Sequence, residues 1–547
     1  MTAMCFEILE RDLLARIGRL KTKSGKVETP ILLPVINPAV QPIQPKELAE
    51  KFGCKALITN AYIIRKHYGE KAAEEGIHRL LGFDGVIMTD SGAYQILVYG
   101  DVEVAPEEIV DYQERINTDI AVILDVPTGW KVSHKHAEET VRETLARAQK
   151  LWKIKRRDDI LWVGPVQGGK FIDLISESAR KVGKLPFQIH ALGSPTPVME
   201  QYLFDLLVDM IMAAKMNLPI DRPLHLFGAG HPFMFSLAVA LGCDTFDSAA
   251  YAIYARESRY MTEYGTFRLE ELEWLPCSCP VCTSHSAKEL REMPKNEREK
   301  LLAMHNLYVC FEELRKIKQA IIEGRLWEHL EMRCHSHPAL LKALKKIGKY
   351  AEYIEKYSPT IKRSGLFYFS HLDLARPEII RHKRKIMKDY SPPEKAKILV
   401  LLPQTDEKPF HKSREQKRFL KLIKEKFGEK SEIFHVCTYA APFGIVPNEI
   451  DEVYPLSQHE VASPLDEETI EYVAEQVAGY IEKTNYERVF LLENIREWKG
   501  KIAASCKAIC RRKGIKLFTF NVEKWNRATA ERFADFISEI MGKGKTE

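Results

Sequence analysis

Three aspartates of the 547-residue sequence stand where short apolar runs end. Asp90 closes one run and is followed by Ser-Gly-Ala-Tyr-Gln, and Asp125 and Asp247 close two later runs. Paired carboxylates can do two jobs at a sugar C1′ carbon, because one attacks or shields the oxocarbenium-like centre and the other handles the proton of the leaving group. A third carboxylate can hold a polar heterocycle through its N–H edge. Taken singly, each aspartate is also typical of a helix N-cap.

A second group of reactive side chains is the run Cys277, Cys279 and Cys282, with the spacing Cys-x-Cys-x2-Cys. Three thiolates and one imidazole fill a tetrahedral zinc shell without an open position, which is typical of a structural site. His305 is the predicted fourth ligand, and His285 is the competing candidate. We therefore expect one structural Zn²⁺ per chain; the alternative is a set of buried thiols without a metal.

Eight apolar runs precede these polar residues and would position them. The runs are nearly all apolar rather than alternating, as buried parallel strands are. Amphipathic segments separate them, so eight β–α units in about 250 residues predict a (β/α)8 TIM barrel. The runs cover residues 30–35, 56–59, 85–89, 120–124, 161–166, 187–192, 223–227 and 243–246.

Polar and glycine residues follow seven of the eight runs, for example Gln167-Gly168-Gly169 and Gly193-Ser194. In a barrel the carboxyl ends of the strands form one face around one pocket. Ordinary turn chemistry explains any single end equally well. The seven ends together favour a shared active site.

Composition limits the class of protein. The chain is 45% hydrophobic and 29% charged, which suits two or more folded domains. The net charge of +5 permits an anionic partner without requiring one. We expect no signal peptide and no membrane span, because no run of about 18 apolar residues is present. The 11 cysteines are an odd number, which favours a reducing cytoplasm over a disulfide framework.

The C-terminal third differs from the barrel region. Residues 341–395 are rich in lysine and arginine with interleaved aromatics, which suits an RNA-binding surface or a solvated helix face. From residue 396 strand-like and helical segments alternate again, which predicts a small α/β domain with a parallel sheet. We therefore predict a barrel domain over 1–340 with a zinc subdomain at about 270–310, a basic connecting segment over 341–395, and an α/β domain with a possible tRNA-binding role over 396–547.

Several motifs, given below in chain order, resemble those of the tRNA-guanine transglycosylases. The residues within and around them resemble the archaeal branch of that family. The resemblance is close over residues 5–340 and looser beyond. The motifs are Asp90-Ser-Gly-Ala-Tyr-Gln, Pro165-Val-Gln-Gly-Gly169, Leu226-Phe-Gly-Ala-Gly-His-Pro232, Phe246-Asp-Ser248 and Pro276-Cys-Ser-Cys-Pro-Val-Cys282 with His305.

The resemblance implies a reaction. Guanine at position 15 in the D-loop of tRNA would be replaced by 7-cyano-7-deazaguanine (preQ0) through a covalent aspartyl-ribose intermediate, early in archaeosine biosynthesis. Asp247 matches the aspartate that binds the ribose, and Asp90 matches the general acid/base. The residues that would contact the base are Ser91, Tyr94, Asp125, Gln167, Gly168, Ala191, Leu192 and Gly193.

The resemblance also implies a homodimer formed through the zinc-bearing region. Ala93 departs from the commonest pattern, in which Gly is frequent, and we expect little consequence because Ala is small. No PUA-type RNA-binding domain is recognised near the C-terminal helix, so any such function would be absent or supplied by another chain.

Three other functions remain open from the sequence. The first is an archaeosine synthase paralogue that acts on preQ0-modified tRNA with the same architecture. The second is a non-catalytic tRNA-binding subunit. The third is a zinc hydrolase on the same barrel that uses His134-Lys-His136 or His335-Ser-His337.

Overall fold

The chain divides into two compact units, Met1–Tyr350 and Ala351–Glu547, which are described separately below. The structure is a computed structural model and describes residues 5–93 and 105–543. In that part of the chain no helix combines the length and the apolar character that crossing a membrane requires.

The first unit begins with a three-stranded antiparallel sheet that the apolar runs did not predict. Its strands are Phe6–Asp12 (β1), Ala15–Thr22 (β2) and Gly25–Thr29 (β3), in the order β1-β2-β3. Every second residue of β1 is at least partly exposed, so the run alternates and lacks the continuous apolar character of the barrel strands.

Eight parallel strands then close into a barrel in which sequence neighbours are also spatial neighbours. All eight predicted runs coincide with strands, and helices alternate with them. The predicted (β/α)8 barrel is therefore confirmed. The strands are Ile31–Ile36 (β4), Ala56–Asn60 (β5), Val86–Asp90 (β6), Ile120–Val122 (β7), Leu161–Val166 (β8), Ile189–Leu192 (β9), Leu224–Leu226 (β10) and Thr245–Ser248 (β11).

The barrel strands are buried on both faces, which explains their continuous apolar character. Ile58, Met88 and Val122 pack in the interior cluster, whereas Ala121 and Trp162 belong to an outer cluster shared with the surrounding helices. The helices of the barrel are Pro45–Phe52, Ala61–Tyr68, Glu70–Glu75, Ile77–Leu81, Pro106–Arg115, His134–Ile154, Ile172–Val182, Thr196–Glu200, Phe204–Lys215, Phe235–Ala240 and Ala250–Arg256.

The antiparallel sheet covers the amino ends of the barrel strands. Phe6, Leu20 and Val27 join the interior cluster together with Ala56 and Val86, which stand at the starts of β5 and β6. This end of the barrel is therefore filled with apolar side chains, and the opposite end is left for polar residues.

A hairpin and five helices complete the first unit. The hairpin pairs Arg259–Thr262 (β12) with Gly265–Arg268 (β13), and the cysteine motif follows it. The helices are Pro280–Ser284, Ala287–Glu292, Lys295–Glu323, Leu326–Cys334 and Pro338–Ile347.

The second unit contains a five-stranded sheet with helices on both faces, as predicted for the C-terminal region. Leu399 and Leu401 pack on one face and Val400 and Leu402 on the other. The strands are Leu366–Tyr368 (β14), Ile398–Pro403 (β15), Phe434–Ala440 (β16), Gly444–Pro447 (β17), His459–Val461 (β18), Arg488–Asn494 (β19) and Lys516–Val522 (β20); the helices are Ala351–Tyr357, Pro377–Arg384, Arg414–Phe427, Glu467–Lys483, Ile495–Trp498, Lys501–Lys513 and Arg527–Lys543.

The order in the main sheet is β17-β16-β15-β19-β20, with β17 antiparallel to the other four. Strands β14 and β18 form a separate parallel pair. The predicted division at residues 340 and 395 stays a prediction. The segment 341–395 itself contributes helix Pro338–Ile347 to the first unit and helix Pro377–Arg384 to the second.

A buried ion pair joins the antiparallel sheet to the barrel and yields a stability prediction. Arg16 Nε lies 3.0 Å from Asp244 Oδ1, and the two residues are 3% and 1% exposed. Arg16→Met leaves the Asp244 carboxylate buried without its cation, so we expect the free energy of unfolding to fall by about 3–5 kcal/mol, measured by denaturant titration.

The matched control is Arg19→Met, which removes the pair with Glu7. That pair spans 3.2 Å, and its side chains are 45% and 61% exposed. Its loss should cost less than about 1 kcal/mol. Equal destabilisation by both substitutions would contradict the structural role of Arg16.

Candidate active site and metal cluster

The three predicted aspartates lie together at the carboxyl end of the barrel. Asp90 ends β6, Asp125 follows β7, and Asp247 lies in β11. Burial, together with the negative charges of Asp125 and Asp247, raises the pKa of Asp90 to about 7. The three parallel strands end on the same face of the closed barrel, so the three carboxylates share one mouth.

Asp90 is held by donors on one of its two oxygens. Asn60 Nδ2 donates to Asp90 Oδ2 at 3.0 Å, and the Gly92 N–H donates to the same oxygen at 3.4 Å. Asn60 is the N-cap of the next helix, and its Oδ1 accepts from Ile63 N at 3.0 Å. This second bond orients the amide so that its NH₂ group points to Asp90.

Asp125 is buried and paired with an amide. Gln167 Nε2 donates to Asp125 Oδ2 at 2.5 Å. Burial raises the pKa of Asp125 to about 6, although the hydrogen bond from Gln167 opposes the shift. Gln167 Oε1 accepts from Thr128 N at 3.1 Å and from Ser194 Oγ at 2.9 Å, so its orientation is fixed. A Cβ on Gly193 would lie 2.3 Å from Gln167 Nε2, which requires glycine there.

Asp247 is anchored by two donors that the sequence analysis missed. His225 Nε2 lies 3.0 Å from Asp247 Oδ1, and the Gly228 N–H donates to the same oxygen at 2.9 Å. His225 is fully buried on β10, and its Nδ1 lies 2.9 Å from Thr245 Oγ1. If the Thr245 hydroxyl donates to Nδ1, then Nε2 carries the hydrogen that Asp247 accepts. A histidine inside the apolar run 223–227 gave no signal of this contact.

Four further residues that are predicted to contact the base lie on the same rim or next to it, namely Ser91, Gly168, Ala191 and Leu192. Ser91 Oγ donates to the Ile123 carbonyl at 2.9 Å, so its hydroxyl ties two strand ends together. Ala191 and Leu192 are fully buried in β9, and Gly168 has φ near +149°. Tyr94 lies outside the described residues. Their roles toward a base stay predictions.

The histidine pairs considered for a hydrolase do not form a metal site within residues 5–93 and 105–543. His134 Nε2 contacts Asp173 Oδ2 at 2.8 Å on an exposed helix start, and His136 is exposed on the same helix. His337 caps helix Pro338–Ile347 through its ring nitrogen. The hydrolase alternative therefore has no support from the geometry.

The cysteine motif forms a compact cluster that could hold a metal ion. One ligand atom from each of Cys277, Cys279, Cys282 and His305 lies within 4.8 Å of all the others. Cys279 Sγ lies 3.6 Å from Cys282 Sγ and 3.5 Å from His305 Nδ1. A tetrahedral ion with metal–sulfur bonds of about 2.3 Å requires sulfur atoms roughly 3.8 Å apart, so the spacing fits.

A second contact orients the histidine of the cluster. His305 Nε2 lies 2.9 Å from the Met261 carbonyl, and this bond leaves Nδ1 directed at the thiols. The ring stacks on Tyr260 at 3.6 Å between centroids. His305 rather than His285 is therefore the imidazole of the cluster.

The lysines and arginines of the predicted RNA-binding segment are mostly neutralised within their own units. Lys346 pairs with Asp209 at 2.9 Å, and Arg381 pairs with Glu355 at 2.8 Å. Lys362 and Glu378 form a buried pair at 2.7 Å. The exposed cations of this segment with no ion pair in the described structure are Lys345, Lys356, Lys383, Lys385 and Lys388. The tRNA-binding role of the C-terminal region stays a prediction. The charged surface available for that role is smaller than the sequence alone indicates.

Comparison with known sequences identifies the family. The family described as queuine tRNA-ribosyltransferase matches residues 12–339. The chain belongs to the tRNA-guanine transglycosylase family. Its members are transferases, and the chemistry of this chain is guanine exchange in tRNA. A second family, described only as a domain of unknown function, matches residues 379–532.

Several archaeal proteins named tRNA-guanine(15) transglycosylase are similar to the transglycosylase chain. The protein of Methanocaldococcus jannaschii is 46% identical over 85% of this chain and 70% of its own length. That of Sulfolobus acidocaldarius is 41% identical over 89% and 95%. That of Aeropyrum pernix is 52% identical over 64% and 69%.

The metal cluster yields a prediction about removal of a ligand. Cys279→Ser should lower the metal content from about one ion per chain to a small fraction and reduce thermal stability, because a structural ion contributes directly to folding. Elemental analysis and thermal unfolding measure both effects. Cys5→Ser, at a partly buried free thiol, is the control and should keep its metal. A parent protein with less than half an ion per chain would contradict the assignment.

Proposed function

We propose that the chain replaces guanine at position 15 of tRNA with 7-cyano-7-deazaguanine, as an early step of archaeosine biosynthesis. The position is supported by the names of the archaeal relatives, and the incoming base by the resemblance of the sequence motifs. The observation that carries the proposal is the convergence of Asp90, Asp125 and Asp247 on one mouth.

The target base must leave the tRNA fold before it can enter the barrel, which costs a few kcal/mol. Asp125 and Gln167 offer an acceptor and an amide beside each other, a pattern that suits the N–H edge and carbonyl of guanine. One oxygen of Asp125 is used by Gln167, so the other is left for the base. Tyr94 would stack on the ring, as the family resemblance implies.

The nucleophile in this proposal is Asp247. Its Oδ1 accepts from His225 and Gly228, so Oδ2 is the oxygen that attacks the ribose C1′. The C1′–N9 bond breaks as the Oδ2–C1′ bond forms, and the electron pair leaves with the base. Asp90 supplies the proton that the departing guanine takes up, which is the role of a carboxyl kept protonated near neutral pH.

The second half of the reaction reverses these steps with another base. The incoming 7-deazaguanine gives its N9 proton to Asp90 and attacks C1′, and the Asp247 ester breaks. The intermediate keeps the energy of the glycosidic bond, so no energy carrier is needed. The products are modified tRNA and free guanine, and both aspartates return to their starting forms.

The cysteine–histidine cluster is proposed to hold one Zn²⁺ with a structural role, since its four ligands leave no open position for chemistry. A homodimer through this region is supported by Trp274, which is 84% exposed beside the cluster. A tRNA substrate and 11 cysteines without a disulfide support a cytoplasmic location.

The first test is Asp247→Ala. This variant should lose labelled-guanine exchange into tRNA by more than about 1,000-fold, because the covalent intermediate cannot form. Circular dichroism should be unchanged. Asp221→Ala, at a surface aspartate with a 62% exposed side chain, is the matched control and should exchange at the parental rate. Activity of Asp247→Ala within tenfold of the parent would refute the nucleophile assignment.

The second test uses pH. The pKa of Asp90 is raised to about 7, so its acid form predominates below that pH and is lost above it. We expect kcat/KM for guanine exchange to fall above pH 7. Asp90→Asn should lower the rate by about 10²–10⁴-fold and remove that alkaline decline, because an amide cannot supply the proton. An unchanged pH profile in Asp90→Asn would assign the decline to another group.

A further inference from the structure

The second unit has the topology of a ligand-binding sheet. Its order β17-β16-β15-β19-β20 places β15 in the middle, and the connections from β15 lead to one side first and to the other side later. In open α/β sheets, ligands bind outside the carboxyl ends of the strands where this reversal occurs. The expected position is therefore beside the residues that follow β15 and β19.

Polar side chains occupy that position. Gln404 Nε2 donates to Glu497 Oε1 at 2.7 Å, and Asn494 Nδ2 donates to Glu497 Oε2 at 3.1 Å. Asn494 Oδ1 is buried and accepts no hydrogen bond from the described residues. Burial and the charge of Asp406 raise the pKa of Glu497. The edge thus presents one buried acceptor, Asn494 Oδ1, that the described residues do not use.

A cavity of about 570 Å³ lies on the same loop. Asp406 lines it, together with Lys408, Glu460 and the partly buried ring of Phe367. This volume lies in the range of small-molecule sites. Gln404, which binds Glu497, lies on the same segment after β15 as the lining residues Asp406 and Lys408, so the cavity borders the strand ends.

Lys408 is the unusual group of this cavity. Its side chain is partly buried, yet within the part of the chain that the structure describes no carboxylate lies within 4 Å of its Nζ and it makes no hydrogen bond. Burial lowers the pKa of Lys408, and Asp406 and Glu460 oppose that shift from a greater distance. An ammonium in this setting lacks an acceptor that a ligand can supply.

The charges restrict the chemistry of the ligand. The two carboxylates would repel a bare phosphate, and Lys408 would repel a simple cation. A flat molecule with a carbonyl acceptor beside several N–H donors satisfies both kinds of group and can stack on Phe367. A guanine-type nucleobase has this arrangement, with O6 for Lys408 and the N1–H and N2–H₂ donors for Asp406 and Glu460.

We propose that this cavity is a second base-binding site, separate from the barrel, which takes a guanine-type nucleobase on Lys408, Asp406 and Glu460. This proposal assigns a ligand to the region that matches a domain of unknown function. It does not depend on the reaction proposed for the barrel.

Equilibrium dialysis of the full chain with radiolabelled guanine tests the proposal by stoichiometry. The parent should bind two guanines per chain, and Lys408→Met and Asp125→Asn should each bind one. The double variant should bind none. Glu460→Gln, at an exposed side chain, should weaken the second site at least tenfold. Lys412→Met is the matched control, because Lys412 pairs with Glu452 and does not line the cavity; it should bind two.

The proposal is overturned if Lys408→Met still binds two guanines. It is also overturned if the parent binds one guanine and only Asp125→Asn removes it. Adenine lacks the carbonyl and the imino N–H, so displacement of the second guanine by equimolar adenine would overturn the guanine-type assignment. If Asp125→Asn binds two guanines and Lys408→Met binds one, the barrel contacts proposed above are refuted. The second site is supported in that case.

Discussion

Three carboxylates in one partly buried mouth cannot all be ionised without cost, and the rest of the first unit is arranged around that constraint. Burial, reinforced by the charges of Asp125 and Asp247, raises the pKa of Asp90 to about 7 and so favours its protonated form up to neutral pH. A proton held there can be given to a departing base and taken back from an arriving one. In the reaction that we propose, burial and this repulsion together supply the acid that base exchange needs.

Each carboxylate is positioned by a donor from a different strand end. Asn60 ends β5, Gln167 follows β8 and His225 lies within β10, and each contacts one oxygen of its aspartate. A closed barrel suits this arrangement because its strands converge and its amino end is filled by the antiparallel sheet.

The metal cluster supports the same end of the barrel. His305 binds the Met261 carbonyl, and the adjacent Asn306 accepts from Met261 N at 2.9 Å and donates to Tyr251 O at 3.2 Å. Tyr251 lies in the helix that follows Asp247, and its hydroxyl donates to the Val35 carbonyl. A closed metal shell at His305 would therefore stiffen the connection that follows Asp247 without taking part in the reaction.

The barrel strands and the three aspartates were predictable because continuous apolar runs and the polar residues after them are local features of the sequence. The three cysteines were predictable for the same reason, whereas the choice between His305 and His285 needed the fold. His225 was not predictable, since a histidine between two leucines is typical of a core strand. The number of unpaired charges on the basic segment was not predictable, because Lys346 pairs with the distant Asp209, and Lys362 and Arg381 pair with Glu378 and Glu355 on other elements. Contacts between distant residues leave no local pattern.

In the reaction that we propose, the carboxylate of Asp247 becomes bonded to the ribose. The most direct measurement is to trap the protein with tRNA, digest the covalent adduct with protease and nuclease, and locate the attached nucleotide by mass spectrometry. The account predicts attachment at Asp247, on the peptide that contains Phe246 and Ser248. Attachment at Asp90 would exchange the two roles, and turnover without any adduct would contradict covalent exchange altogether.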